Sequence, residues 1–132
     1  MKIVIDTNIV ISGVFFGGLP RRVLQAVLTD KITACVNIAI IQEYNEVVRE
    51  MVSRKQGKID ENILMPLVAR MQIVEEKAIV QICRDPDDNK FLECAKDAHA
   101  LYIVSGDKDL LDIGIYEEIE ILTAKEFCYR YL

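Results

Sequence analysis

Apolar residues fall into short blocks that obey two different periods. KIVI (Lys2–Ile5) and ITACV (Ile32–Val36) are continuous apolar runs of strand length, and LYIVS (Leu101–Ser105) and EIEIL (Glu118–Leu122) repeat the pattern late in the chain. IVEE (Ile73–Glu76) is a weaker third strand in chain order. Between these runs the spacing is helical. Ile9 to Phe16 predicts a helical turn or two closed by Gly17-Gly18. Pro20 then opens a helix to about Leu28, with Val23, Leu24, Val27 and Leu28 as its apolar stripe. Ile38 to about Arg54 predicts a long amphipathic helix, and Asp60 to Met71 another. Asp85 is placed as the N-cap, and Pro86 as the first residue, of a helix running to about His99; Thr123 caps a terminal helix.

Strands that alternate with helices imply right-handed crossovers. The expected fold is therefore α/β, in three layers: a central, mainly parallel five-stranded sheet flanked by helices. Such sheets bind ligands beyond the carboxyl ends of their strands, near the point where strand order reverses. The chain's 132 residues suit a single domain, 1–132.

Composition narrows the function classes. A hydrophobic fraction of 52% with 28% charged residues excludes a disordered chain. No apolar run approaches the ~18–20 residues of a membrane span, and MKIVIDTNIV has no small-residue cleavage site. The expectation is a cytoplasmic protein with no membrane partner. Cys35, Cys83, Cys94 and Cys128 are widely spaced and form no C-x-x-C pair, so reduced thiols are expected rather than a zinc site. A net charge of −5 argues against a nucleic-acid partner, unless several acids hold cations that reverse the local field.

The acids supply that exception. Asp6 directly follows the first strand and Asp107 the fourth, so both reach the carboxyl edge of the sheet, with Asp109 two residues on. On the long helix, Ile40, Ile41, Tyr44, Val47, Val48 and Met51 lie within about 60° of one direction. Glu43 lies about 100° away, at the border of that stripe, whereas Glu46 points outward. Asp88 shares the core face of its helix with Phe91, Leu92, Ala95 and Ala98, a costly place for a carboxylate without a partner. Singly, each acid has an ordinary explanation as a cap, a turn former or helix surface. Together they repel one another unless cations are present, and hard divalent ions suit carboxylate donors.

VIDTNIVISG, IIQEYNEVV, DPDDNKFLECA and LYIVSGDKDLL, in that order, resemble a PIN domain over essentially the whole chain. More narrowly, they resemble the VapC-like PIN proteins classed as toxins of type II toxin–antitoxin pairs. The resemblance implies a ribonuclease using one or two Mg²⁺ or Mn²⁺ ions. It puts Asp6, Glu43, Asp88 and Asp107 at the catalytic, metal-holding positions and makes Asp109 an auxiliary metal ligand. Asn8 and Ser105 become orienting residues, with Ser105 standing where many relatives carry Thr. It also implies an RNA substrate, a cognate antitoxin and a homodimer. Candidate RNA contacts are Arg21, Arg22, Arg54, Lys55 and Lys58, each equally readable as a solvated basic face. His99 reads as a helix-end surface residue, and Tyr129, Arg130 and Tyr131 as a cluster that packs or dimerises. Two other classes stay open: a non-catalytic PIN scaffold whose acidic pocket takes a partner's arginine, and a receiver-like phosphoryl-transfer domain. IVEE and ILTAK fit the receiver pattern poorly.

Overall fold

A computed structural model describes residues 1–54 and 64–132. The chain begins with β1 (Lys2–Ile5), α1 (Thr7–Phe15), α2 (Gly18–Leu28), β2 (Thr33–Val36) and α3 (Ile38–Ser53). It continues through α4 (Leu64–Arg70), β3 (Gln72–Ile73), a 3₁₀ turn (Pro86–Asp88), α5 (Asn89–Ala98) and β4 (Tyr102–Val104). It closes with α6 (Lys108–Ile113), β5 (Ile115–Tyr116), β6 (Ile119–Leu122) and α7 (Ala124–Tyr131).

The sheet runs β3-β2-β1-β4-β6-β5. Its first five strands pair in parallel, and β5 is added antiparallel at the edge. The five expected strands are thus joined by a sixth of two residues. So short a run carries no readable period, and it forms because Gly114 (φ 70°) and Glu117 (φ 54°) turn the chain back onto β6. Ile3, Val4 and Ile5 of the central strand are wholly buried, as a strand covered on both faces must be. Phe91, Leu92, Ala95 and Ala98 of α5 face that core, with α5 lying against β1, β2 and β4.

Several boundaries differ from the sequence reading: α1 begins at Thr7 rather than Ile9, α2 at Gly18 rather than Pro20, and the helix expected from Pro86 opens as a 3₁₀ turn before α5 starts at Asn89. Gly17 and Gly18, at φ 83° and 69°, form a corner that lets α1 and α2 pack closely. The helix expected from Asp60 is described from Leu64 onward, its first residues lying outside the described residues. The IVEE strand shortens to Gln72–Ile73, with the Val74 N–H still donating to the Val36 carbonyl at 2.8 Å, and the chain from Glu75 to Cys83 runs beside α5 with no strand partner among the described residues. Side chains spaced one turn apart on α5 take the place of that partner. Asp97 accepts from the backbone N–H groups of Lys77 (3.0 Å) and Ala78 (2.9 Å). Glu93 accepts from Val80 N–H (3.0 Å) and Asn89 from Cys83 N–H (3.0 Å). Propensity cannot show such pairing, because it depends on a helix later in the chain.

Cys35, Cys94 and Cys128 are buried, Cys83 is half-buried, and all four thiols are free. His99 ends α5 in the left-handed region (φ 56°) and is exposed, as expected of a helix-end residue. Among the described residues no helix is long and apolar enough to cross a membrane.

Candidate active site

The register of β1 on β4 builds the site. Ile5 pairs with Val104, and the Asp6 N–H donates to Val104 O at 2.9 Å, so Asp6 lies level with Ser105. The buried Ser105 hydroxyl then donates to Asp6 Oδ2 at 2.6 Å and accepts from the Asp107 N–H at 3.0 Å. One residue thereby fixes both acids that end the two central strands.

Asp6, Asp88 and Asp107 are the N-cap residues of α1, α5 and α6, yet none uses its side chain to cap. Caps elsewhere behave ordinarily. Asn37 accepts from Ile40 N–H, Asp85 from Asp87 N–H and Thr123 from Glu126 N–H, the last within a capping box. The capping explanation therefore fails for Asp6, and neither Asp88 nor Asp107 spends its side chain on a cap. Their carboxylates instead face one cavity of about 310 Å³, lined by Asp6, Thr7, Asn8, Glu43, Val47, Asp85, Asp88, Asp107 and Asp109.

Glu43 arrives from α3. Asn37 caps that helix at 2.9 Å, and the wholly buried Tyr44 hydroxyl donates to the carbonyl of Ile5 at the end of β1. This contact locks the helix register, so Glu43 turns toward Asp6 while Glu46 stays exposed. Glu43 accepts from the Thr7 hydroxyl and pairs with the Lys90 ammonium at 2.6 Å.

The electrostatics are those of crowded carboxylates. Burial, then the charges of Asp107 and Asp85, and a hydrogen bond that only the protonated acid can donate to Asp107, push the Asp88 carboxyl up to about 7. Burial also raises the Asp6 carboxyl. The Ser105 hydrogen bond opposes that rise, and Asp107 and Glu43 add to it. Cys83 lies nearby; burial and the charges of Asp88, Asp107 and Asp85 raise its thiol to about 11, so it stays protonated.

Of the expected site residues, Asp6, Glu43, Asp88, Asp107, Asp109 and Asn8 all line the cavity. Ser105 lies beneath it. The hydrogen bond that orients Asp6 comes from Ser105, whereas Asn8 sits exposed in the first turn of α1. Sequence reasoning missed Thr7 and Lys90, and it saw Asp85 only as a cap. Thr7 lies between two residues already singled out. Lys90 follows Asp88 by two, but its partner comes from another helix.

The basic candidates serve other ends. Arg21 donates to the carbonyls of Gly13 (2.9 Å) and Val14 (3.0 Å), satisfying the carboxyl end of α1. Arg22 donates to the Leu132 carbonyl, and Arg54 pairs with Glu50 one turn away. None of these three lines the acidic cavity. Lys55 and Lys58 lie outside the described residues. Tyr131 packs on Tyr102 and Phe127 and Arg130 pairs with Glu120, whereas Tyr129 stands exposed at the surface.

Hard oxygen donors in this number suit a divalent cation. Among the described residues, however, no three acidic, His or Cys side chains are gathered into a finished coordination sphere. Repulsion and the Lys90 contact hold the carboxylates around the cavity, so water would have to complete any coordination shell.

These features define an α/β protein whose central parallel strands deliver carboxylates, not caps, to one edge of the sheet. The chain belongs to the PIN domain family, which it matches over residues 2–109. Members of that family are generally nucleases and typically use divalent metals. An uncharacterised protein of Methanocaldococcus jannaschii is 32% identical over 117 residues, covering 86% of this chain and 75% of that protein. The crystal structure of VapBC2 from Rickettsia felis, bound to a DNA fragment from their promoter, contains a chain of similar fold. The TM-score is 0.63 at 13% identity, covering 93% of this chain and 98% of that one. The receiver-like alternative is set aside by the family match.

Proposed function

We propose that this chain is a Mg²⁺- or Mn²⁺-dependent ribonuclease and the toxin member of a type II toxin–antitoxin pair. The observation that carries the reading is the set of N-cap aspartates, Asp6, Asp88 and Asp107, that do not cap and face one cavity beside Glu43. The toxin assignment is further supported by the likeness of fold to the VapBC2 chain.

Asp6 and Asp107 act as primary ligands of one or two ions, Asp88 and Glu43 complete or bridge the site, and Asp109 assists. Asp85 joins them because it lines the same cavity. Ser105 holds Asp6 in place, and Asn8 is positioned to meet the substrate. A bound divalent cation would supply charge neutralisation at the RNA phosphate and the leaving oxygen, and would ease loss of a proton from the attacking water. The protein acts as a single domain in the cytoplasm, with an antitoxin as its partner and a second copy of itself as a further one.

The decisive experiment is cleavage of single-stranded RNA by purified protein. Cleavage should require Mn²⁺ or Mg²⁺, stop on chelation, and be lost in Asp6→Asn and Asp107→Asn. Undiminished cleavage in excess EDTA, or full activity of both variants, overturns the reading.

A further inference from the structure

One cation is built into the acidic site. Lys90 is the sole positively charged residue among the described residues lining either the acidic cavity or the adjoining one of about 360 Å³, which shares Glu43 with it. Its ammonium lies 2.6 Å from Glu43 Oε1 and 3.7 Å from Asp87 Oδ1. The side chain is only 14% exposed, against 86% for Arg84, which approaches Asp109 at 3.8 Å from solvent. Glu43 has Thr7 on one oxygen and Lys90 on the other. Each oxygen thus already has one partner, and a divalent cation reaching Glu43 either displaces a contact or shares the carboxylate with the Lys90 charge.

We infer that Lys90 is a resident counter-ion, which occupies Glu43 in the metal-free protein and competes with the divalent cation for that carboxylate. The inference rests on the metal-dependent reading above. Lys90 is a positioning residue: it holds Glu43 in place and limits repulsion while the site is empty, at the expense of metal affinity. A site so arranged stays folded at low free cation and gathers its ligands only as cation rises.

The test measures the Mn²⁺ dissociation constant by titration calorimetry and melting temperature in EDTA, on parent, Lys90→Met, Lys90→Gln and Lys90→Arg. Removing the charge should tighten Mn²⁺ binding about tenfold, the size of effect that one charge at 4–6 Å exerts on a neighbouring ionisation equilibrium. The same two variants should melt lower than the parent in EDTA, and the gap should narrow in saturating Mn²⁺. Lys90→Arg keeps the charge and should bind Mn²⁺ as the parent does. The Gln variant carries the comparison if the Met variant fails to fold. Unchanged or weaker Mn²⁺ binding in both neutral variants, with the parent binding normally, overturns this inference alone. A parent that binds no Mn²⁺ overturns the metal-dependent reading and this inference with it.

Discussion

Two glutamates one turn apart on α3 give the sharpest contrast between neighbours. Glu43 faces the cavity and Glu46 faces solvent, so Glu43→Gln should reduce RNA cleavage by orders of magnitude and Glu46→Gln should leave it near the parent's rate. Damage from Glu46→Gln alone would mean that α3 is rotated from the register described. Asp88 supports a second prediction, on stability. Its carboxyl is raised from 3.8 to about 7 in the folded chain, so between those values the folded state holds a proton that the unfolded chain has lost. Folding is then favoured as pH falls, the reverse of the usual paired carboxylate. In EDTA the parent should gain melting temperature between pH 8 and pH 5 relative to Asp88→Asn, which cannot take up that proton. Parallel pH profiles for the two proteins would show that the crowding at Asp88 carries no energetic weight.

Elements explain both what the sequence revealed and what it hid. The long helix and the border position of Glu43 followed from spacing alone, because the apolar stripe of α3 is continuous and Tyr44 sits at its centre. The contact that sets the helix against β1 did not, since the Tyr44 hydroxyl meets a carbonyl thirty-nine residues away in the chain. Tyr44→Phe should cost about 1–2 kcal/mol, typical of a buried polar group left unpaired. It should also lower activity through misplacement of Glu43, read as a fall in kcat with the melting transition still cooperative. Asp6 and Asp107 were legible because strand ends are legible. Lys90 was not, because an ion pair between helices leaves no periodic trace. The run beside α5 was misread for the same reason. Asp97→Ala should speed amide hydrogen exchange at Lys77 and Ala78 while leaving β1 and β4 protected. Equal exchange in the parent would show that the Asp97 contacts do not hold that segment.

At the scale of the whole molecule, the metal-free protein carries its charge repulsion as a standing weakness, and cation should relieve it. At a hundredfold excess over its dissociation constant, a ligand that binds only the folded state adds about 2.7 kcal/mol. The parent should show such a rise in melting temperature with Mn²⁺, and Asp88→Asn much less. An identical response would remove Asp88 from the ligand set.

The strand order has a consequence for how such a protein is made. The centre of the sheet is β1 beside β4, so the first strand waits about a hundred residues for the neighbour that brings Ser105 and Asp107. Until then Asp6 lacks both its Ser105 hydrogen bond and the Asp107 carboxylate, and no shorter stretch of the chain contains the whole cavity. On the ribonuclease reading proposed above, a chain emerging from a ribosome, surrounded by RNA, would remain harmless until the stretch through Asp107 had been synthesised and folded. Synthesis itself would then serve as the first safeguard, ahead of any inhibitor protein.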